Sequence, residues 1–239
     1  MELCVIVDLP APFQAALEII LGELTTRNDL IGILFFGSAA RGEARTGSDL
    51  DLYAITSQDA RGHLGRSIAG VPVEVSFGSV AQMSAQVRQE LPTAVHAFAT
   101  GHLLLDRTDG ALLALCQEAR TIWERGPSPL SASARLRFQF HLTDVARDLE
   151  GMPEHSAATA LAGSECIRLA LEALCATATV WMPPMRHILA TLDAPQPDVT
   201  ALVRRCAEAG FPSSLAVKVA DRVLQDLGGR LDAYDTSPR

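Results

Sequence analysis

Two short apolar runs constrain this chain more than anything else in it, because each meets residues that an ordinary buried strand does not carry. Residues 30–36 (LIGILFF) run straight into Gly37-Ser38, and residues 50–55 (LDLYAI) follow Asp49 and contain Asp51. Continuous apolar runs of this length read as buried strands, so the chain has to fold around a sheet. Residues at i and i+2 of a strand share one face. Asp49 and Asp51 therefore form a pair of hard oxygen ligands of the kind Mg²⁺ takes. Gly37 and Ser38 supply a tight turn that lets the backbone approach a phosphate. A phosphate-holding turn beside an acidic pair suggests metal-assisted phosphoryl or nucleotidyl transfer.

Moving a nucleotidyl group has three requirements: the triphosphate charge must be neutralised, the attacking hydroxyl must lose its proton, and the reacting oxygens must align. Two divalent ions can stabilise both the attacking and the leaving oxygen. A third carboxylate from a neighbouring strand completes such a set, and Glu74 is the candidate. It stands between valines in the β-patterned segment 71–77, where Val71, Val73, Val75 and Phe77 face one way and Glu74 and Ser76 the other. Ser38 is expected to cap a short helix beginning Ala39-Ala40-Arg41, whose first amides would face an anion. Arg41 is placed to contact phosphate or to pair with Glu43 or Glu18.

The string FGSAARGEARTGSDLDLYAI resembles the signature of the DNA polymerase β-like nucleotidyltransferase superfamily. It is closest to the small bacterial branch that includes aminoglycoside nucleotidyltransferases. It keeps Gly37, Ser38, Ala40, Arg41, Gly42, Glu43, Ser48, Asp49 and Asp51. The resemblance covers roughly residues 11–108. It implies that Asp49, Asp51 and Glu74 are the catalytic, metal-binding acids holding two Mg²⁺ ions. It also implies that Gly37, Ser38, Arg41 and Ser48 surround ATP or another NTP. The third acid is often Asp in that superfamily and is Glu here. More loosely, the second half resembles the helical bundles that help such enzymes bind their acceptor, and Trp181-Met182-Pro183-Pro184 after a long helix fits them.

The rest of the chain divides by pattern. A helix is expected over 11–26, with Pro12 near its start, and a loop over 42–47. Helices are expected from Ser79 to about Gln89 and over 92–100, then a short strand over 102–105. From Ala111 every long segment reads as helix: 111–123, 131–149, 155–177, 185–192, 198–209 and 213–227. The expected fold is α+β: a mixed-sheet nucleotidyltransferase domain, residues 1–108, then an all-helical bundle domain, residues 109–239. The change of domain falls between Arg107 and Pro129.

Composition excludes several alternatives. With 48% hydrophobic and 20% charged residues the chain is globular rather than disordered. A net charge of −8 argues against a broad grip on nucleic acid. It suits a cationic small-molecule acceptor, since an acidic cleft attracts cations. Lys218 is the only lysine, so any phosphate-contacting side chain near the motif is an arginine. Cys4, Cys116, Cys166, Cys175 and Cys206 include no C-x-x-C pair and have apolar neighbours, which suggests buried thiols in a reducing compartment. The start of the chain lacks signal-peptide character, and no run approaches a membrane span, so a cytoplasmic protein is expected. Arg135 and His141 meet an Arg-x4–6-His ribonuclease spacing, a pattern that arises by chance in an Arg-rich helix. Two other readings stand beside the small-molecule one: a protein-modifying (AMPylating) enzyme and a non-catalytic nucleotide-binding module.

Overall fold

The computed structural model describes residues 9–59 and 61–233, and Cys4 lies outside them. The chain divides into two compact units between Arg125 and Gly126. In the first unit, helix α1 (Ala11–Thr25) leads into β1 (Leu30–Phe36), the single-turn helix α2 (Gly37–Ala40) and β2 (Leu50–Thr56). The antiparallel pair β3 (Gly62–Ile68) and β4 (Val71–Gly78) follows, then α3 (Val80–Arg88), α4 (Pro92–Thr100), β5 (His102–Asp106) and α5 (Ala111–Arg125).

These strands make one mixed sheet in the order β3-β4-β2-β1-β5. Only β2 and β4 run parallel; the other neighbours are antiparallel. The parallel step puts Leu50 beside Val73 and Asp51 beside Glu74. The two faces are covered by different helices. On one, Ala16, Leu17, Ile20, Leu21 and Leu24 of α1 pack with Leu50, Leu52, Val71, Val73 and Val75. On the other, Leu34 and Ile55 pack with Met83 and Val87 of α3, Phe98 of α4 and the apolar stripe of α5. Helix α3 begins at a capping box: Ser79 Oγ accepts from Gln82 N, and Gln82 Oε1 accepts from Ser79 N.

Two sequence expectations need correction, and a third is narrowed. Strand β3 was not expected, because GHLGRSI has no apolar alternation and is exposed along most of its length. Helix α5 belongs to the first compact unit, which runs to Arg125, inside the 107–129 window expected for the change of domain. Its Leu112, Leu115, Cys116 and Ala119 are buried against the sheet, so the change from strand-rich to helical sequence is not the boundary of the fold. Ser38 is not a helix cap: the turn starts at Gly37, which moves the cap position to Phe36.

The second unit is helical: α6 (Ala132–Glu150), α7 (Ala157–Thr177), a 3₁₀ turn (Met185–His187), α8 (Ile188–Leu192), α9 (Pro197–Glu208) and α10 (Ser213–Leu227). Its core is built around Leu142, Ile167, Leu171, Leu174, Val219 and Leu224. At Gly163 on α7 an added Cβ would lie 2.7 Å from the Phe211 carbonyl oxygen, so the absence of a side chain sets how closely the α9–α10 turn approaches. Glu154 accepts hydrogen bonds from both hydroxyls of Ser213 and Ser214 and from the Ser214 amide at the start of α10. Those bonds hold its carboxyl below the usual range. Arg135 and His141 both lie on α6. Arg135 donates to the Asp226 carbonyl at 2.9 Å near the end of α10, and His141 meets the Phe140 ring edge-on, so the ribonuclease-like spacing has structural partners. No helix among the described residues is long and apolar enough to cross a membrane.

Candidate active site

The site forms where β1 ends and β2 begins. Phe36 pairs with Asp51 across β1–β2, and Asp51 pairs with Glu74 across β2–β4, so one row of the sheet runs Phe36, Asp51, Glu74. Asp49 sits just ahead of β2, two residues from Asp51, and therefore faces the same way. One carboxylate oxygen from each of Asp49, Asp51 and Glu74 lies within 4.8 Å of the others. Asp49 and Asp51 are half-buried and Glu74 is exposed.

Gly37 is required twice over. Its φ is +82°, a left-handed backbone that costs a side-chain-bearing residue about 1–2 kcal/mol. A Cβ there would also lie 2.0 Å from Asp51 Oδ2. The bare Cα of the turn is thus the wall against which the Asp51 carboxylate rests. Ser38 follows inside the turn, and its carbonyl accepts from Glu43 N at 2.9 Å, closing the start of the loop. At the other end of the loop, Ser48 Oγ accepts from Arg45 N and Ser48 N donates to Arg45 O, both at 2.9 Å. Arg41 is the residue on which the helical turn ends, and its guanidinium binds Glu43 Oε2 through Nε at 3.1 Å and Nη2 at 2.9 Å.

The acids repel one another. At an effective dielectric near 20, two unit charges about 5 Å apart raise the energy by roughly 3 kcal/mol. The consequence falls on Asp51, whose carboxyl is pushed from 3.8 up to about 6 by burial first, then by Asp49 and Glu74, while Arg41 pulls the other way. Tyr53, two residues along β2, stacks between Phe36 and Phe98 at 4.6 and 5.6 Å between ring centroids. Burial, and then the charge of Asp51, raise its phenol. Three carboxylates and no lysine make a donor set of hard oxygens, which fits a divalent cation such as Mg²⁺.

The structure brings Asp49, Asp51 and Glu74 together and sets Gly37 against Asp51. Arg41 is close enough to act on Asp51 electrostatically, and Ser48 immediately precedes Asp49. A cleft of about 500 Å³ opens between the start of α1, the 44–48 loop and the β3–β4 turn. Ser48 lines it, but none of the three acids does.

Residues 17–97 match the family model of the nucleotidyltransferase domain. Residues 17–97 are accordingly a nucleotidyltransferase domain of the DNA polymerase β-like superfamily, and the reaction class of such domains is transfer of a nucleoside monophosphate. Strand β5, helix α5 and the helical unit lie beyond the matched segment. Among solved structures the chain is similar to a nucleotidyltransferase-like protein from Exiguobacterium sibiricum. Identity is 15%, with 89% of this chain and 74% of that one covered, at a TM-score of 0.44. No curated protein matches it.

Proposed function

We propose that the chain is a Mg²⁺-dependent enzyme that moves AMP from ATP to a hydroxyl of a small-molecule acceptor. The observation that carries this reading is the gathering of three carboxylates within 4.8 Å beside a glycine turn, inside a domain of nucleotidyl-transfer class. Asp49, Asp51 and Glu74 would hold the ions. Bound divalent ions supply charge neutralisation at the triphosphate and lower the pKa of a coordinated hydroxyl.

The chain's own residues do the rest. Gly37 lets the turn backbone approach the phosphates, while Ser38, Arg41 and Ser48 line the loop around them. Glu74, exposed at the edge of the trio, takes the proton of the acceptor hydroxyl as its oxygen attacks the α-phosphorus and pyrophosphate leaves. The net charge of −8 supports a cationic acceptor, aminoglycoside-like in its hydroxyls and amines. The four described cysteines are free and buried, which supports a reducing, cytoplasmic setting.

The test is incubation with Mg²⁺ and ATP labelled at the α- or the γ-phosphate, over separate panels of small molecules and proteins. The α-label should enter a small molecule while the γ-label leaves as pyrophosphate. Label entering protein would replace the acceptor class with a polypeptide. ATP binding without turnover in any panel would leave a nucleotide-binding module.

A further inference from the structure

The signature turn is held from outside the signature. Helix α2 has only one turn, so its last carbonyls lack intrahelical partners. Ser38 O and Ala39 O are satisfied by the amides of Glu43 and Gly42. The Ala40 carbonyl is met instead by His102 Nε2 at 2.8 Å, from a residue 62 positions later in the chain. A carbonyl oxygen can only accept, so Nε2 carries the hydrogen and the ring is either that tautomer or the imidazolium.

His102 is the first residue of β5, paired with Phe35 near the end of β1. The preceding residue makes this approach possible. A Cβ on Gly101 would lie 2.5 Å from Ala97 O, 2.9 Å from Phe35 O and 3.1 Å from Phe36 Cβ. Any side chain at 101 would push β5 and the end of α4 away from the very strand end that delivers Gly37. Gly101 sets the distance, and His102 then spans to the far side of the turn.

We propose that Gly101-His102 is a brace for the nucleotide-holding turn, with His102 a positioning residue that fixes Ala40, and through it Ser38 and Arg41, before nucleotide binds. This rests on the reading of residues 37–48 as the nucleotide site. A turn already fixed spends no binding energy on becoming ordered, so the brace appears in NTP affinity rather than in the chemistry of the acids.

The experiment uses the full chain with Mg²⁺-ATP as the probe, followed by calorimetry, and hydrogen exchange of amides 38–43 in the free protein. His102→Ala should weaken Mg²⁺-ATP binding about three- to tenfold, one hydrogen bond's worth. It should also speed exchange across 38–43 at nearly unchanged thermal stability. His102→Gln, which keeps an N–H donor, should restore both. Equal affinity and equal exchange in His102→Ala overturn the brace, and so does failure of the Gln variant to restore either. Absence of Mg²⁺-ATP binding in the unaltered chain overturns the nucleotide reading itself. Faster exchange in His102→Ala would then mark a turn braced for some other purpose.

Discussion

Asp51 is the residue on which the site's energetics concentrate. Its folded pKa, about 6, lies above its unfolded 3.8, so between those values the native state binds the extra proton. The resulting stability is fully present below pH 3.8 and is lost as pH rises through about 6. A metal-free protein at neutral pH therefore carries a destabilising charge, which a bound cation would relieve. Asp51→Asn should raise the stability of the metal-free chain at pH 7.5 by about 1–2 kcal/mol, allowing for solvent screening of a half-buried group. That gain should vanish near pH 4, and nucleotidyl transfer should be lost at every pH. Denaturant melts of both chains at the two pH values check it, and a gain over the unaltered chain no larger at pH 7.5 than at pH 4 would show that Asp51 is not strained. Gly37→Ala tests the same carboxylate from the other side. The added methyl should displace the Asp51 carboxylate by about 1 Å and lower activity at least about 100-fold. An active Gly37→Ala enzyme would mean that the turn does not set the carboxylate's place. Much of this was legible in the sequence, since the strand period puts Asp49 and Asp51 on one face. The Asp51–Glu74 pairing was not, because register across a parallel step depends on where the β3–β4 hairpin begins.

At the scale of elements, what the sequence conveyed followed from how strongly each segment is patterned. Strands β1, β2 and β4 carry apolar runs or clean alternation and fold where that pattern puts them. Strand β3 carries neither, and it forms because β4 offers it an edge to pair with. His102 was invisible as a site residue for a related reason: nothing links it to Ala40 until β5 is laid beside β1. Helix α3 was announced by Ser79, whose hydroxyl both caps the helix and donates to Asp59 at 2.8 Å. Ser79→Ala should lower stability by about 1–2 kcal/mol while leaving kcat within about twofold, since the cap lies away from the acids. Thermal melts alongside the transfer assay check this. A loss of activity without a loss of stability would place Ser79 in the site.

For the whole molecule, the division at Arg125–Gly126 makes α5 a structural part of the catalytic unit. Leu112 and Leu115 alone contribute roughly 3–6 kcal/mol of burial, a large share of the about 5–15 kcal/mol by which a domain is stable. A fragment ending at Arg125 should fold cooperatively, whereas one ending at Thr108 should expose Leu34, Ile55 and Phe98 and aggregate. Equal solubility and equal melting of the two would return the boundary to residue 108. On the proposed mechanism, Asp49 and Asp51 at the head of β2 and Glu74 on β4 act as one cation-binding centre that works with nucleotide. The most direct measurement is a Mn²⁺ titration by electron paramagnetic resonance with a non-hydrolysable ATP analogue. It would be made on the full chain and on the Asp49→Asn/Asp51→Asn double variant. The full chain should bind Mn²⁺ beyond what free nucleotide takes up, and the double variant should not. Equal Mn²⁺ uptake by both would contradict the account.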